Sequence, residues 1–156
     1  MTIQRVAVIG AGTMGAGIAQ VCAQAGWTTT LYDAFPDGLE RGMQRIDAFW
    51  DKGIARGKTT AEQKEAWAKN LRAEADMKTA VHGVDLVIEA VPEIPELKAK
   101  VFAQLDEMAP EHAVLGTNTS SLSIASIAAA TNRPDKVIGM HFFNPVPIME
   151  LLELVR

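Results

Sequence analysis

The sequence predicts an α/β fold built on a doubly wound, mostly parallel sheet. Short β-rich runs alternate with amphipathic helices, and residues 3–32 have the length of one β-α-β crossover. A glycine-rich segment separates the first strand of this unit from its helix, and an aspartate ends its second strand. With 156 residues, the chain has the size of a single domain, which we expect to comprise residues 1–156.

After the second strand, the sequence predicts an inserted helical hairpin over about residues 35–71. Apolar residues recur at helical spacing from Phe35 to about Ala55, which indicates a long amphipathic helix. Thr59 and Glu62 resemble a capping box, so we expect a second helix to open there and to end near Leu71.

The alternation of strand and helix resumes beyond the hairpin. A proline suits the first turn of a helix, because its missing N–H would have no partner there. The predicted strands are Ile3–Ile9, Thr28–Tyr32, Arg72–Asp76, Asp85–Ile88, Ala113–Gly116 and Lys136–His141, and the predicted helices outside the hairpin are Met14–Ala25, one that begins at Pro95, and Leu122–Ala130. The segment Pro147–Val155 is expected to be extended and to turn back beside the strand that ends at His141, because the preceding Asn-Pro-Val-Pro segment redirects the chain.

Composition excludes several classes of function. Apolar residues make up 48% of the chain and charged residues 22%, as expected for a globular domain. The formal net charge of −4 disfavours broad binding to nucleic acid or anionic membranes. The sequence has no membrane-length apolar run and no signal-peptide pattern, so we expect a soluble, cytoplasmic protein. Its one cysteine, Cys22, is expected to be a packed thiol.

The segment Gly10–Gly15 has the G-x-G-x-x-G spacing of a dinucleotide fingerprint and lies between a strand and a helix. Gly10 permits a tight turn, Gly12 lets the backbone approach a pyrophosphate, and Gly15 permits close packing of the helix. Asp33 is placed to bind the ribose hydroxyls and to repel a 2′-phosphate, so a Rossmann-type site for NAD rather than NADP is predicted. A glycine-rich turn with a capping aspartate is the structural alternative, and a methyltransferase shares the loop and the acid.

Polar residues also follow the later strands, at 89–93, at 118–121 and at His141. Because ligands of open α/β sheets bind at the carboxyl ends of the strands, we expect these clusters and Asp33 to line one crevice. Histidine changes charge near neutral pH. If Met149–Val155 is a strand, Glu153 lies on its apolar face, where a carboxylate is costly unless it is paired, and His141 is the expected partner. A base with a carboxylate partner suits a metal-free alcohol dehydrogenase. The alternative is a structural histidine and a solvated edge glutamate.

These residues together resemble the NAD-binding domain of the L-3-hydroxyacyl-CoA dehydrogenases, including the 3-hydroxybutyryl-CoA dehydrogenases. The resemblance covers nearly the whole chain, and the inserted helix pair is typical of that family. It rests on the segments Val8–Gly15, Glu89–Glu93, Asn118–Leu122 and His141–Pro147.

The resemblance implies NAD-dependent oxidation of (3S)-3-hydroxyacyl-CoA to 3-oxoacyl-CoA, and it implies a role for each matching position. His141 would be the general base, Glu153 its orienting carboxylate, and Ser120 the hydroxyl near nicotinamide and substrate. Phe49 departs from the small hydroxyl residue of some relatives, so contacts with CoA are expected to differ. The implied cofactor-binding residues are Gly10, Gly12, Thr13, Met14, Gly15, Asp33, Glu93, Lys98 and Asn118, and the implied substrate-binding residues are Ser120, Asn118, Arg56, Lys58 and Asn144.

Members of that family continue into an all-helical domain that closes the acyl site and forms the dimer, whereas this sequence ends at Arg156. We therefore expect the chain to need such a domain in cis or in trans. Two rival hypotheses are a non-catalytic NAD-binding or assembly module, and a sister dehydrogenase that acts on a free hydroxy acid. Taken without the resemblance, Arg56 and Lys58 are solvated loop charges.

Overall fold

A computed structural model describes residues 2–149 and 151–156. The chain forms one seven-stranded sheet in the order β3-β2-β1-β4-β5-β6-β7, parallel except for the antiparallel β7. The doubly wound α/β fold is therefore confirmed. The strands are β1 (Arg5–Ile9), β2 (Thr28–Tyr32), β3 (Leu71–Glu74), β4 (Leu86–Glu89), β5 (Val114–Thr117), β6 (Val137–Phe142) and β7 (Leu152–Val155), and the helices are α1 (Thr13–Gln24), α2 (Pro36–Ala55), α3 (Ala61–Ala68), α4 (Met77–Ala80), α5 (Pro95–Met108) and α6 (Ile124–Ala128).

The two faces of the sheet carry separate hydrophobic cores, because successive strand residues point to opposite sides. Val6 and Val8 pack on the face that α1 and α2 cover, whereas Ala7 and Ile9 pack on the face that α5 and α6 cover. Cys22 lies in the first core, and burial raises the pKa of its thiol to about 12, as expected of a packed thiol.

The inserted hairpin is present between β2 and β3, as α2 and α3. Trp50 is buried and joins the two helices through its ring, which lies 5.8 Å from that of Trp67. The predicted capping box is displaced by one residue: Thr60 accepts the Gln63 N–H, and Gln63 accepts the Thr60 N–H. Thr59 instead donates its N–H to the Gly53 carbonyl, which closes the turn between the helices.

The short elements depart most from the predicted boundaries. Leu71, predicted as a helix end, begins β3 and pairs with Thr29 of β2. A 3-10 helix over Pro134–Lys136 was not predicted. Within residues 2–149 and 151–156, every helix is too short or too polar to cross a membrane.

Candidate active site

The loop between β1 and α1 is shaped by its three glycines. Gly10 has a φ of +106°, and a Cβ there would lie 2.7 Å from the Ala90 carbonyl oxygen. A Cβ on Gly15 would overlap the Gly10 carbonyl oxygen, so α1 starts in close contact with the end of β1. A Cβ on Gly12 would meet no atom within 4 Å. Neither the turn nor the packing therefore requires glycine at position 12. The absence of a side chain there leaves space above the backbone.

This space opens into a cavity of about 720 Å³ at the carboxyl edge of the sheet, which we call the cofactor cleft. Its volume is typical of a small-molecule site. The cleft lies above the N-terminal end of α1, where Gly12 provides no side-chain cap for the N–H groups of the first turn. Among the residues predicted to bind cofactor, it is lined by Gly10, Gly12, Thr13, Met14, Asp33, Glu93 and Asn118.

Asp33 is held at one end of the cleft by two backbone groups. Its Oδ2 accepts the Ala11 N–H at 2.8 Å, and its Oδ1 accepts the Phe35 N–H at 2.9 Å. Each carboxylate oxygen keeps acceptor capacity for a further donor, as a pair of ribose hydroxyls requires. A smaller cavity of about 220 Å³ lies beside Asp33 and is also lined by Arg41 and Arg45.

The residues present fit NAD. The free space over Gly12 and the uncapped first turn of α1 suit a pyrophosphate, since helix N-termini favour anions. Asp33 lies on one side of this loop, and Glu93 and Asn118 lie on the other. For an NAD bound along this loop, Asp33 would lie at the adenosine end of the cleft and Asn118 at the nicotinamide end.

The nicotinamide end is built from the ends of β4, β5 and β6. Glu93 accepts the Thr119 hydroxyl and, at 3.5 Å, the Ser120 N–H. Asn118 lines the cleft, and its Oδ1 accepts the Phe142 N–H at 3.0 Å. Through Asn118, the cleft is thus tied to the strand residue that follows His141.

His141 and Glu153 face each other across the antiparallel pair of β6 and β7. Directly opposed residues have Cβ atoms about 5 Å apart on one face of a sheet. The His141 ring also lies 4.4 Å from the Phe143 ring, centroid to centroid. In the part of the chain that the structure describes, the two side chains form no hydrogen bond or ion pair. What relates His141 to Glu153 is their opposed position in the two paired strands.

Lys98 differs from the other residues predicted to bind cofactor, because its side chain is fully buried and does not line the cleft. Its ammonium group lies 2.6 Å from Glu89, which is also fully buried. Glu89 and Thr119 belong to the polar clusters that were expected to line the crevice, but the sequence suggested no individual role for either, and Thr117 was not singled out. Lys98 offered a signal, since it shares a helical face with Val101 and Leu105, and a lysine at a core position needs an acid.

The residues predicted to bind substrate are dispersed. Asn144 lines a pocket of about 340 Å³ between α1, α2 and the loop after β6, to which Phe49 and Lys52 of α2 also contribute. Arg56 caps the C-terminal end of α2 and is exposed, as is Lys58. Neither lines this pocket or the cofactor cleft.

The fold, the glycine loop and the acid after β2 define a dinucleotide-binding domain of the Rossmann type. Residues 5–156 match the family described as "3-hydroxyacyl-CoA dehydrogenase, NAD binding domain". The chain belongs to this family, and NAD is its cofactor.

Similar proteins span the same residues. The chain is 42% identical to a probable 3-hydroxybutyryl-CoA dehydrogenase of Bacillus subtilis, over all of this chain and 54% of that protein. It is 48% identical to the 3-hydroxyadipyl-CoA dehydrogenase of Escherichia coli, over 99% of this chain and 32% of that one. The crystal structure of an Escherichia coli 3-hydroxybutyryl-CoA dehydrogenase superposes with a TM-score of 0.94 at 47% identity, over 99% of this chain and 32% of that chain. This chain thus spans a third to a half of the length of these relatives.

Proposed function

We propose that this chain supplies the NAD-binding and catalytic half of an enzyme that oxidises (3S)-3-hydroxyacyl-CoA to 3-oxoacyl-CoA. The observation that carries the proposal is strand register, which places His141 directly opposite Glu153. Asn118 links the same strand end to the cofactor cleft. One edge of the sheet therefore offers both a proton acceptor and a cofactor site, the two requirements of alcohol oxidation.

Bound NAD⁺ supplies the acceptor for the hydride that leaves the carbon bearing the 3-hydroxyl group. His141 takes the hydroxyl proton on an imidazole nitrogen, as a general base. Glu153 turns from solvent toward the ring, orients it and stabilises the imidazolium that forms. Ser120 is exposed two residues beyond Asn118, and we assign its hydroxyl to bind the substrate oxygen.

We assign the thioester to the side of the sheet on which α2 lies. Asn144 lies three residues after His141 and lines the pocket described above, to which Lys52 adds positive charge. Further along α2, Arg56 and Lys58 offer two exposed cations to the phosphates of CoA. The bulk of Phe49 in this pocket sets the shape of the thioester arm that can enter.

A helical domain, in the same polypeptide or in another, is proposed to cover β7 and to form the dimer. The segment from Ile148 to Val155 supports this, because its described apolar side chains are exposed. Leu154 is 61% exposed and Ile148 is 63% exposed. An apolar sheet edge of this kind is typical of an interaction surface.

The decisive experiment measures NADH consumption with acetoacetyl-CoA by the chain together with a helical domain. We expect turnover with CoA thioesters and none with free hydroxy or oxo acids. General-base catalysis contributes about 10² to 10⁴-fold, so His141→Gln should lower kcat by that order while NADH still binds. Glu153→Gln should also lower kcat, and the double variant should be little worse than His141→Gln because the two groups act as a unit.

Three results would contradict the proposal. Near-native turnover of His141→Gln would remove the histidine from the reaction. Multiplicative losses in the double variant would show that Glu153 acts independently. NADH binding without turnover on any substrate, even with a helical domain added, would favour the non-catalytic NAD-binding module. Glu111→Gln serves as a surface control, because that residue is exposed in the turn before β5, at the opposite edge of the sheet from the cleft.

A further inference from the structure

Two opposite charges lie beneath the carboxyl edge of the sheet with no access to solvent. Glu89 ends β4, and Lys98 lies on the buried face of α5. The Lys98 ammonium nitrogen and the Glu89 Oε2 are 2.6 Å apart, and both side chains are 0% exposed. Neither side chain lines the cofactor cleft.

The pair holds three segments of the chain together. The Glu89 Oε1 accepts the Thr117 hydroxyl at 2.6 Å, and its Oε2 also accepts the Val91 N–H at 2.7 Å. The Lys98 ammonium donates to the Asn118 carbonyl at 3.4 Å and lies 3.6 Å from the Glu93 carboxylate. The end of β5 and the turn after β4 are therefore fastened to α5 through this one pair.

The segments that the pair fastens form only one end of the cleft. Asp33 marks the adenosine end, and the glycine loop lies in the middle. Val91, Glu93 and Asn118 line the opposite end, where the nicotinamide ring would lie.

Stability of the fold does not require these charges. Burial raises the pKa of Glu89, and the nearby Lys98 ammonium, Thr117 hydroxyl and Val91 N–H lower it again in part. Desolvating a buried ion pair costs as much as its attraction returns, so apolar residues of similar shape often serve a fold equally well. What apolar residues cannot provide is the set of directed bonds to Thr117, Val91 and Asn118.

We propose that Glu89 and Lys98 are positioning residues that set the nicotinamide end of the cleft through Glu93 and Asn118. Asn118 also holds this end of the cleft to β6, since it accepts the Phe142 N–H. This role rests on the proposed function only in that the cleft binds NAD. Lys98 accordingly acts on the cofactor through other residues and does not contact it.

The test compares Glu89→Gln, Lys98→Met and the double variant by thermal unfolding and by titration with NADH and with ADP-ribose, which lacks nicotinamide. Each single variant leaves one buried charge unpaired, so its Tm should fall by on the order of 10 °C. The double variant should recover most of that loss. In all three variants, the preference for NADH over ADP-ribose should fall about tenfold, the equivalent of one lost hydrogen bond.

A second ion pair provides the matched control. Arg133 and Asp106 lie 2.8 Å apart, each 11% exposed, and Arg133 also binds the Ala113 carbonyl at the amino end of β5. Arg133→Met should lower Tm and leave the NADH to ADP-ribose preference unchanged. Thr117→Val keeps the side-chain shape and removes one bond to Glu89, so it should lower that preference about threefold even if the double variant does not fold.

The outcomes separate the two proposals. A double variant, or Thr117→Val, with the wild-type preference overturns the positioning role, as does an equal fall in Arg133→Met. Equal wild-type affinity for NADH and ADP-ribose overturns it too, because no nicotinamide contacts then exist to be positioned. If the wild-type chain binds neither ligand, the proposed cofactor site itself is wrong.

Discussion

Replacement of Gly12 by alanine isolates the cofactor contact of the glycine loop from its role in folding. Gly12 has φ −69° and ψ −169°, an extended conformation that alanine adopts without strain. The added Cβ meets no protein atom within 4 Å and enters the space where the pyrophosphate would bind. We therefore expect Gly12→Ala to weaken NAD binding and to leave the fold intact.

The effects of Gly12→Ala on the free energy of unfolding and on the affinity for NAD can be derived separately. Alanine is a poorer N-cap than glycine, but it lowers the conformational entropy of the unfolded chain, which stabilises the folded state by about 0.4–1 kcal/mol. These effects oppose each other, so the free energy of unfolding should change by less than about 0.5 kcal/mol. A hydrogen bond from a backbone N–H to a charged group contributes about 1.5–3 kcal/mol, and losing one weakens binding about 10- to 150-fold.

Calorimetric titration with NAD and urea unfolding of the same preparations measure both quantities. Gly15→Ala is the contrasting variant, since its Cβ would overlap the Gly10 carbonyl oxygen and should destabilise the domain as well. Gly26→Ala is a control away from the cleft: its φ of +92° predicts a loss of stability with unchanged NAD affinity. Wild-type affinity in Gly12→Ala would refute the assignment of the loop to the pyrophosphate.

Three further predictions concern charge. Asp33→Asn should raise the NADP to NAD affinity ratio at least tenfold in calorimetric titrations, because the arginine-lined cavity beside it no longer faces a carboxylate; an unchanged ratio would remove Asp33 from cofactor choice. Asp85 accepts two backbone N–H groups and binds His112, and these bonds hold its pKa below the ordinary 3.8. The contribution of Asp85 to stability is therefore full above pH 3.8 and is lost as pH falls below it. Asp85→Asn should lower the free energy of unfolding by about 1–2 kcal/mol at pH 7 and should make that free energy, measured by urea unfolding, fall less steeply in acid; an unaltered pH dependence would contradict this. Arg56→Ala with Lys58→Ala should weaken acetoacetyl-CoA binding about three- to tenfold, less so at high salt, with NAD affinity unchanged; unchanged thioester affinity would return both to solvated loop charges.

Local patterns sufficed for the elements that short-range chemistry determines. The glycine loop, β2 and the long helix α2 were predicted to within a few residues, because turn glycines and helical spacing are properties of neighbouring residues. The capping box was ambiguous, since Thr59 with Glu62 and Thr60 with Gln63 both have the required spacing. The contact of Thr59 with Gly53, six residues earlier, decided between them.

Long-range pairing accounts for what the sequence did not reveal. Leu71 reads as the end of an amphipathic helix, yet it joins the sheet because β2 offers Thr29 as a partner 42 residues away. The role of Lys98 depends on Glu89, which belongs to another element. The antiparallel return of β7 was predicted from the Asn-Pro-Val-Pro segment, and its pairing with β6 confirms that step. The catalytic roles of His141 and Glu153 remain a prediction.

The arrangement of the site follows from how parallel strands end. In the proposed reaction, the hydride acceptor and the proton acceptor must hold a fixed geometry although they would belong to different strands, since the cleft follows β1 and β4 while His141 is on β6. β5 lies between β4 and β6, and its end is bonded in both directions: Thr117 donates to Glu89, and Asn118 accepts from Phe142. A displacement of β5 would therefore move Asn118 relative to both centres. The polar bonds at this edge couple the cofactor cleft to the histidine without contact between them, and for that reason a buried charge pair beneath β5 is expected to influence nicotinamide binding.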